Sequence, residues 1–120
     1  MSRAEKGARG EKLARAYCTK KLAYRFLVRN WRSGRGEIDL ICLGGSTLVF
    51  IEVRLRPHGA RISGIHSINT DKKAILRRTA QAYLYRLKRQ PETYRFDVVS
   101  IAFSGSNQHE ISHYRNVALF

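Results

Sequence analysis

A chain of 120 residues is long enough for one compact domain and too short for two, so residues 1–120 are read as a single domain. Lysine and arginine number 23 against 9 aspartates and glutamates, a net charge of +14, while 43% of residues are hydrophobic. So large a charge is self-repelling in a globule and points to an anionic polymer as partner, nucleic acid first; an anionic membrane is the weaker option, because no segment has both a wide apolar face and lipid-facing aromatics, and no apolar run approaches the ~20 residues that span a bilayer.

Ser2 and Glu5 have the spacing of a capping box, and the alanines, Leu13, Ala16, Tyr17 and Cys18 predict a helix to about Lys21. Glu11, Ala14 and Cys18 fall on one face of it, setting an acid beside small apolar side chains; the plainer reading pairs Glu11 with Arg15 one turn on. Residues 24–31 (YRFLVRNW) alternate as a strand, and 32–36 form a basic, glycine-containing turn.

Residues 36–56 (GEIDLICLGGSTLVFIEVRLR) read as two strands joined by a Gly-Gly-Ser turn. Ile38, Leu40 and Cys42 form one face of the first, matched by Val49, Ile51, Val53 and Leu55 on the second. The opposite face carries Glu37, Asp39, Ile41 and Leu43, then Leu48, Phe50, Glu52 and Arg54. With 44–47 as the loop, Leu43 opposes Leu48 and Asp39 opposes Glu52; a Gly44-Gly45 turn shifts the pairing by two residues and keeps both acids on one face. Facing carboxylates repel, so a cation, a metal or a shared proton must offset them, unless they are solvated or paired with arginines. Oxygen ligands on neighbouring strands suit a hard divalent cation such as magnesium. The runs ICL and LVFI are apolar on both faces, as in a covered central hairpin.

Residues 57–67 predict a loop able to close over that hairpin, its His58 and His66 within reach of a phosphate. Asn69 or Thr70 caps a second helix, with Asp71 in its first turn and Leu76, Ala80, Tyr83 and Leu87 as its core stripe. Lys72, Lys73, Arg77, Arg78, Arg86, Lys88 and Arg89 make its remaining surface a phosphate-binding one, and Pro91 ends it. A strand at 95–103 completes a strand–helix–strand unit with parallel pairing and a right-handed crossover. Residues 111–119 read as an edge strand, and His109 and His113 as incidental. Arg32, Arg35, Arg56, Arg61, Lys72, Lys73 and Arg77 are the expected nucleic-acid contacts. Cys18 and Cys42 read as reduced, buried thiols, and the polar N-terminus without a signal core agrees with a cytoplasmic location.

Helix, three strands, helix, strand, with Asp39 and Glu52-x-Arg54 on the hairpin, resembles the restriction-endonuclease-like PD-(D/E)xK core. That resemblance implies an α/β fold in which helices flank a mixed sheet of about four to five strands. GARGEKLA at 7–14, RNWRSGRGEIDLI at 29–41, LVFIEVRLR at 48–56, AQAYL at 80–84 and RFDVV at 95–99 are similar, more closely, to the bacterial YraN (UPF0102) family, itself similar to archaeal Holliday-junction resolvases. The matching stretches span nearly the whole chain. The family resemblance implies a DNA endonuclease dependent on Mg or Mn, with branched or junction DNA among its substrates, RNA as a second partner, and a homodimer suited to a junction. It implies Asp39, Glu52 and the Val53 carbonyl as metal ligands, Glu11 as an additional carboxylate, and Arg54 as the basic residue beside them. Gln81-x-x-x-Tyr85 is similar to a pair found in some nucleases of this fold.

The chain departs from the pattern at two positions. Arg54 stands where the motif has lysine, and Ile38 where it has proline. Arginine keeps its charge and grips phosphate bidentately, yet cannot act as a base. A nuclease fold that binds nucleic acid without cutting it therefore stays open, as does a basic protein docked on an RNA or protein assembly. A Glu37–Arg54 salt bridge across the ladder would be the plain structural use of both charges.

Overall fold

The computed structural model describes residues 1–57, 69–105 and 108–117. The expected loop, with His58, Arg61 and His66, lies outside the described residues apart from Pro57. Helix α1 (Arg3–Ala16) starts as expected, the Ser2 hydroxyl accepting the Glu5 N–H at 3.1 Å. It does not continue to Lys21 as an α-helix but widens into a π-helical turn, Tyr17–Lys21. The N–H groups of Leu22 and Tyr24 bond the carbonyls of Tyr17 and Cys18, and Ala23 in the left-handed region (φ 57°) swings the chain into the sheet.

Strands β1 (Arg25–Ser33), β2 (Gly36–Gly44), β3 (Thr47–Arg56), β4 (Thr93–Phe103) and β5 (His109–Tyr114) form one mixed sheet in the order β1-β2-β3-β4-β5, with helix α2 (Thr70–Arg86) between β3 and β4 in sequence. Only β3 and β4 pair in parallel, the arrangement expected of strand–helix–strand. The hairpin takes the first of the two expected registers: Leu43 faces Leu48, and Gly45 (φ 62°) and Ser46 turn the chain between the closing pair Gly44 and Thr47. A positive φ at the turn is one that glycine adopts without steric cost.

The helices cover opposite faces. Ala14 and Cys18 pack with Leu40, Cys42, Val49, Ile51, Val99 and Ile101. Leu76, Ala80 and Leu84 of α2 pack with Ile38, Ile41, Leu48, Phe50, Phe96 and Val98. Burial on both faces explains the near-continuous apolar runs of β2 and β3. Both cysteines are free and fully buried, as expected.

Two expectations are corrected. Ile38 does not share a face with Leu40 and Cys42; it joins Ile41 under α2. The alternation of β2 breaks between Ile38 and Leu40, across from Asn30 of β1, whose backbone is left-handed (φ 50°). Nor does α2 last until Pro91. It stops at Arg86, where Leu87 turns extended and packs beside the core, and Gln90 Nε2 donates to the Leu84 carbonyl at 2.8 Å. Thr79 and Leu84 belong to its buried face, with Tyr83 and Leu87 only partly covered. Among the described residues no helix is long and apolar enough to cross a membrane.

Candidate functional site

The β2–β3 ladder ends at the pair Leu40–Ile51, one step short of Asp39 and Glu52. There the Asp39 carboxylate replaces a main-chain acceptor: its Oδ2 takes the Val53 N–H at 2.7 Å. That bond holds Asp39 across β3, in the same cleft as Glu52. Val53, expected to offer its carbonyl, engages the site through its N–H.

Glu52 is only 8% exposed. The Lys72 ammonium lies 3.3 Å from its Oε2, yet that buried oxygen completes no hydrogen bond. Lys72 stands in the first turn of α2, whose start is fixed by Asn69: its side chain accepts the Lys72 N–H at 2.8 Å. The positive end of the α2 dipole therefore adjoins the carboxylates. Asp39, Glu52 and Lys72, with Arg35, Glu37 and Asp71, border a cleft of about 520 Å³.

Burial, then the charge and hydrogen bond of Glu52, push the Asp39 carboxyl up to about 8, with a smaller upward push from Glu11. The Val53 N–H pulls the other way without prevailing. At neutral pH the unaided site thus keeps a proton on Asp39. A carboxylate pair of this kind, one oxygen lacking a hydrogen bond and one acid protonated by its neighbour, has the donor chemistry that a hard divalent cation satisfies. Asp39 and Glu52 are the residues able to hold one. Glu11 is near enough to act on Asp39 through its charge but lines a neighbouring cleft, and among the described residues no three His, Cys, Asp or Glu side chains converge on one point.

Arg54 is half-buried on the same strand and makes no hydrogen bond or ion pair among the described residues. The Glu37–Arg54 bridge weighed from sequence is absent, because Glu37 binds Arg32 instead at 3.1 Å. Nor does Glu11 pair with Arg15, whose guanidinium lies over the Phe26 ring. Arg56 is largely covered and braces β5, donating to Ser112 Oγ at 3.1 Å and approaching Glu110 at 3.8 Å. Arg35 and Arg77 are exposed and Lys73 half-buried. The approach of Lys72 to Glu52 was not read from sequence. The signal was available: a cap at Asn69 and a core residue at Leu76 together turn the first turn of α2 toward the hairpin.

His113 also needs correcting, since it is not incidental. Its Nε2 lies 2.8 Å from Asp97 Oδ2, and its Nδ1 lies 3.3 Å from the Tyr17 hydroxyl. Asp97, fully buried, also receives Arg95 Nε at 3.0 Å and the Asn116 N–H at 2.9 Å. Burial works to raise the Asp97 carboxyl, but His113, the Asn116 N–H and Arg95 outweigh it and hold the group below the usual carboxylate range. Arg95 reaches on to the Tyr24 hydroxyl at 2.6 Å, so one buried acid ties β4 and β5 to the start of β1.

The family described as "Uncharacterised protein family UPF0102" matches residues 10–101. A UPF0102 protein of Carboxydothermus hydrogenoformans is 38% identical over 125 residues, covering 100% of both chains. One from Lawsonia intracellularis is 38% identical over 120 residues, covering 100% of this chain and 89% of its own, and one from Chlorobium limicola is 39% identical over 95 residues, covering 79% and 73%. The match takes in both hairpin acids and extends over full-length relatives: the chain belongs to the UPF0102 family.

Proposed function

We propose that the protein is a DNA endonuclease dependent on magnesium or manganese, hydrolysing phosphodiesters at Asp39 and Glu52, with branched DNA as a favoured substrate and RNA as a second binding partner. The observation that carries this reading is the placement of Asp39 and Glu52 in one cleft, Asp39 held by the Val53 N–H and Glu52 3.3 Å from Lys72 at the start of a basic helix. When bound there, the divalent ion supplies a lowered water pKa and neutralises charge on the scissile phosphate. The chain's own residues do the rest. Asp39 gives up its proton as the site fills, and the Val53 N–H keeps its carboxylate aimed across β3. Lys72 and the N-terminus of α2 place positive charge beside the acids, where a phosphate oxygen would rest. Arg54 grips phosphate as a fixed cation and leaves proton transfer to other groups. Arg35, Lys73 and Arg77 hold flanking phosphates.

The test is incubation with branched, flapped and linear DNA, and with RNA, with and without Mn²⁺, alongside Asp39→Ala and Glu52→Ala. Metal-dependent cleavage that both substitutions abolish is expected. Cleavage undiminished in the variants, or absent on every substrate, overturns the reading.

Arg54 favours a second reading, a nuclease-fold module that binds nucleic acid without cutting it. Cleavage appearing only in Arg54→Lys would establish it; robust cleavage by the wild type would end it.

A further inference from the structure

Glu11 sits in a second cleft, of about 460 Å³, on the α1 side of the sheet. Its walls carry Arg9, Lys12 and Arg15 of α1 and Arg29 of β1, with Leu40 of β2 also lining it. Arg9, Lys12 and Arg15 recur at steps of three, so they share one helix face, and Arg29 meets them from the sheet. Four cations around a single acid repel one another in an empty cleft. Lys12, Arg15 and Arg29 have no acidic partner among the described residues. The Arg15 guanidinium lies 3.7 Å from the Phe26 ring centroid. Seated on an aromatic face, it is fixed without consuming its in-plane N–H donors, which suits it to an anion. The cleft also adjoins the carboxylate pair: Leu40 follows Asp39 in the chain, and the charge of Glu11 reaches Asp39. Its volume is that of a small-molecule site, room for a nucleotide or two and far too little for a duplex.

We infer that this α1 cleft is a phosphate-binding subsite that takes the backbone of one nucleic-acid strand running past Asp39. The inference rests on the nucleic-acid reading above and adds to it a second cation-lined channel, on the sheet face opposite α2.

The test uses the full, metal-free chain and a fluorescent oligothymidylate, its affinity followed by anisotropy across a salt series. Arg15→Gln/Arg29→Gln is compared with the wild type and with Lys20→Gln/Lys21→Gln, which removes equal charge outside the cleft. The cleft variant is expected to flatten the plot of log affinity against log salt by about 1.4, two contacts at roughly 0.7 each on a single strand, and the control by much less. An unchanged slope in the cleft variant, or an equal loss in the control, overturns the subsite. Should the variant fail to fold, phenylglyoxal modification of the wild type decides the same question: protection of Arg15 and Arg29 by the oligonucleotide supports the subsite, and equal modification with and without it overturns the subsite. Cleavage assays report on the paired acids and this slope reports on the cleft, so either idea can fail alone. Wild type that binds no DNA at all overturns both.

Discussion

Neighbouring strands β3 and β4 each bury an acid, and the two are treated in opposite ways. Asp97 is wrapped by donors: the Asn116 N–H on one oxygen, His113 on the other and Arg95 Nε shared between the two, so that the ionised form prevails despite complete burial. Glu52, 8% exposed, has a second acid pressed against it and an oxygen with no hydrogen bond, and its neighbour Asp39 keeps a proton to about 8. The sequence neighbourhoods are alike, RFDVV and FIEVR, acids flanked by apolar residues. What separates them is the count of donors that the fold delivers. A surplus makes a buried acid a strut; a deficit leaves it with an affinity to spare for something positive.

The largest break in that contrast is Asp97→Ala. It strands Arg95 and His113 around an emptied centre and is expected to lose about 3–5 kcal/mol of unfolding free energy in urea titrations, the scale of removing one partner from a buried pair. Ala at Asp39 should cost far less, since only the Val53 N–H loses a partner, where Asp97 serves Arg95, His113 and the Asn116 N–H. A loss at Asp39→Ala as large as at Asp97→Ala would contradict the comparison.

The second is a pH profile, where the acids have opposite signs. Asp97 is held below the usual 3.8, so its contribution is present above that value and disappears as pH falls through its lower, folded value. Asp39 is raised from 3.8 to about 8, so the native state holds the extra proton, and that contribution is complete below 3.8 and lost as pH climbs towards 8. Metal-free protein should therefore weaken across that window by up to about 1.4 kcal/mol per pH unit. Asp39→Asn should flatten the decline, and Mn²⁺ at pH 8 should reverse it. An equal decline in Asp39→Asn would show that another group is responsible.

The smallest effect sharpens the α2 side. Gly36 lies under α2, where an added Cβ would clash with Thr79 Oγ1 and meet Ile75 Cγ2 at 3.0 Å. Gly36→Ala should cost about 1–3 kcal/mol by lifting α2 from the sheet. It should weaken phosphate-dependent binding through Lys72 while leaving the Asp97 side alone, as seen in unchanged exchange protection of β5.

Much of this was legible in the residues. Alternation and the glycine turn narrowed the hairpin to two registers, because a one-residue slip would have moved Glu52 into the apolar set; the choice between the two had no local signal. Strand–helix–strand order implied the parallel β3–β4 pair, and the adjacent cap candidates Asn69 and Thr70 marked the start of α2, Asn69 being the one that caps it. The hidden parts are those without a local pattern. Nothing in the alternation of β2 marks the break that puts Ile38 under α2, and five residues are too few for preferences to separate an α-helix from a π-helical turn. The Asp97–His113 bond joins residues 16 apart, outside any helical or strand period. Lys72 is a different case: the cap at Asn69 and the core residue Leu76 turn it toward Glu52, yet on its own it read as one more charge on a basic helix.

The ladder that stops short at Leu40 and Ile51 leaves the molecule with its own gauge. The Val53 amide is handed to a side chain whose protonation and occupancy change, where most strand amides are held by inert carbonyls. Its chemical shift and its exchange with solvent deuterium follow the state of Asp39 directly, at a single nucleus. One backbone resonance thus distinguishes protonated, ionised and cation-filled forms of the site before any substrate is added.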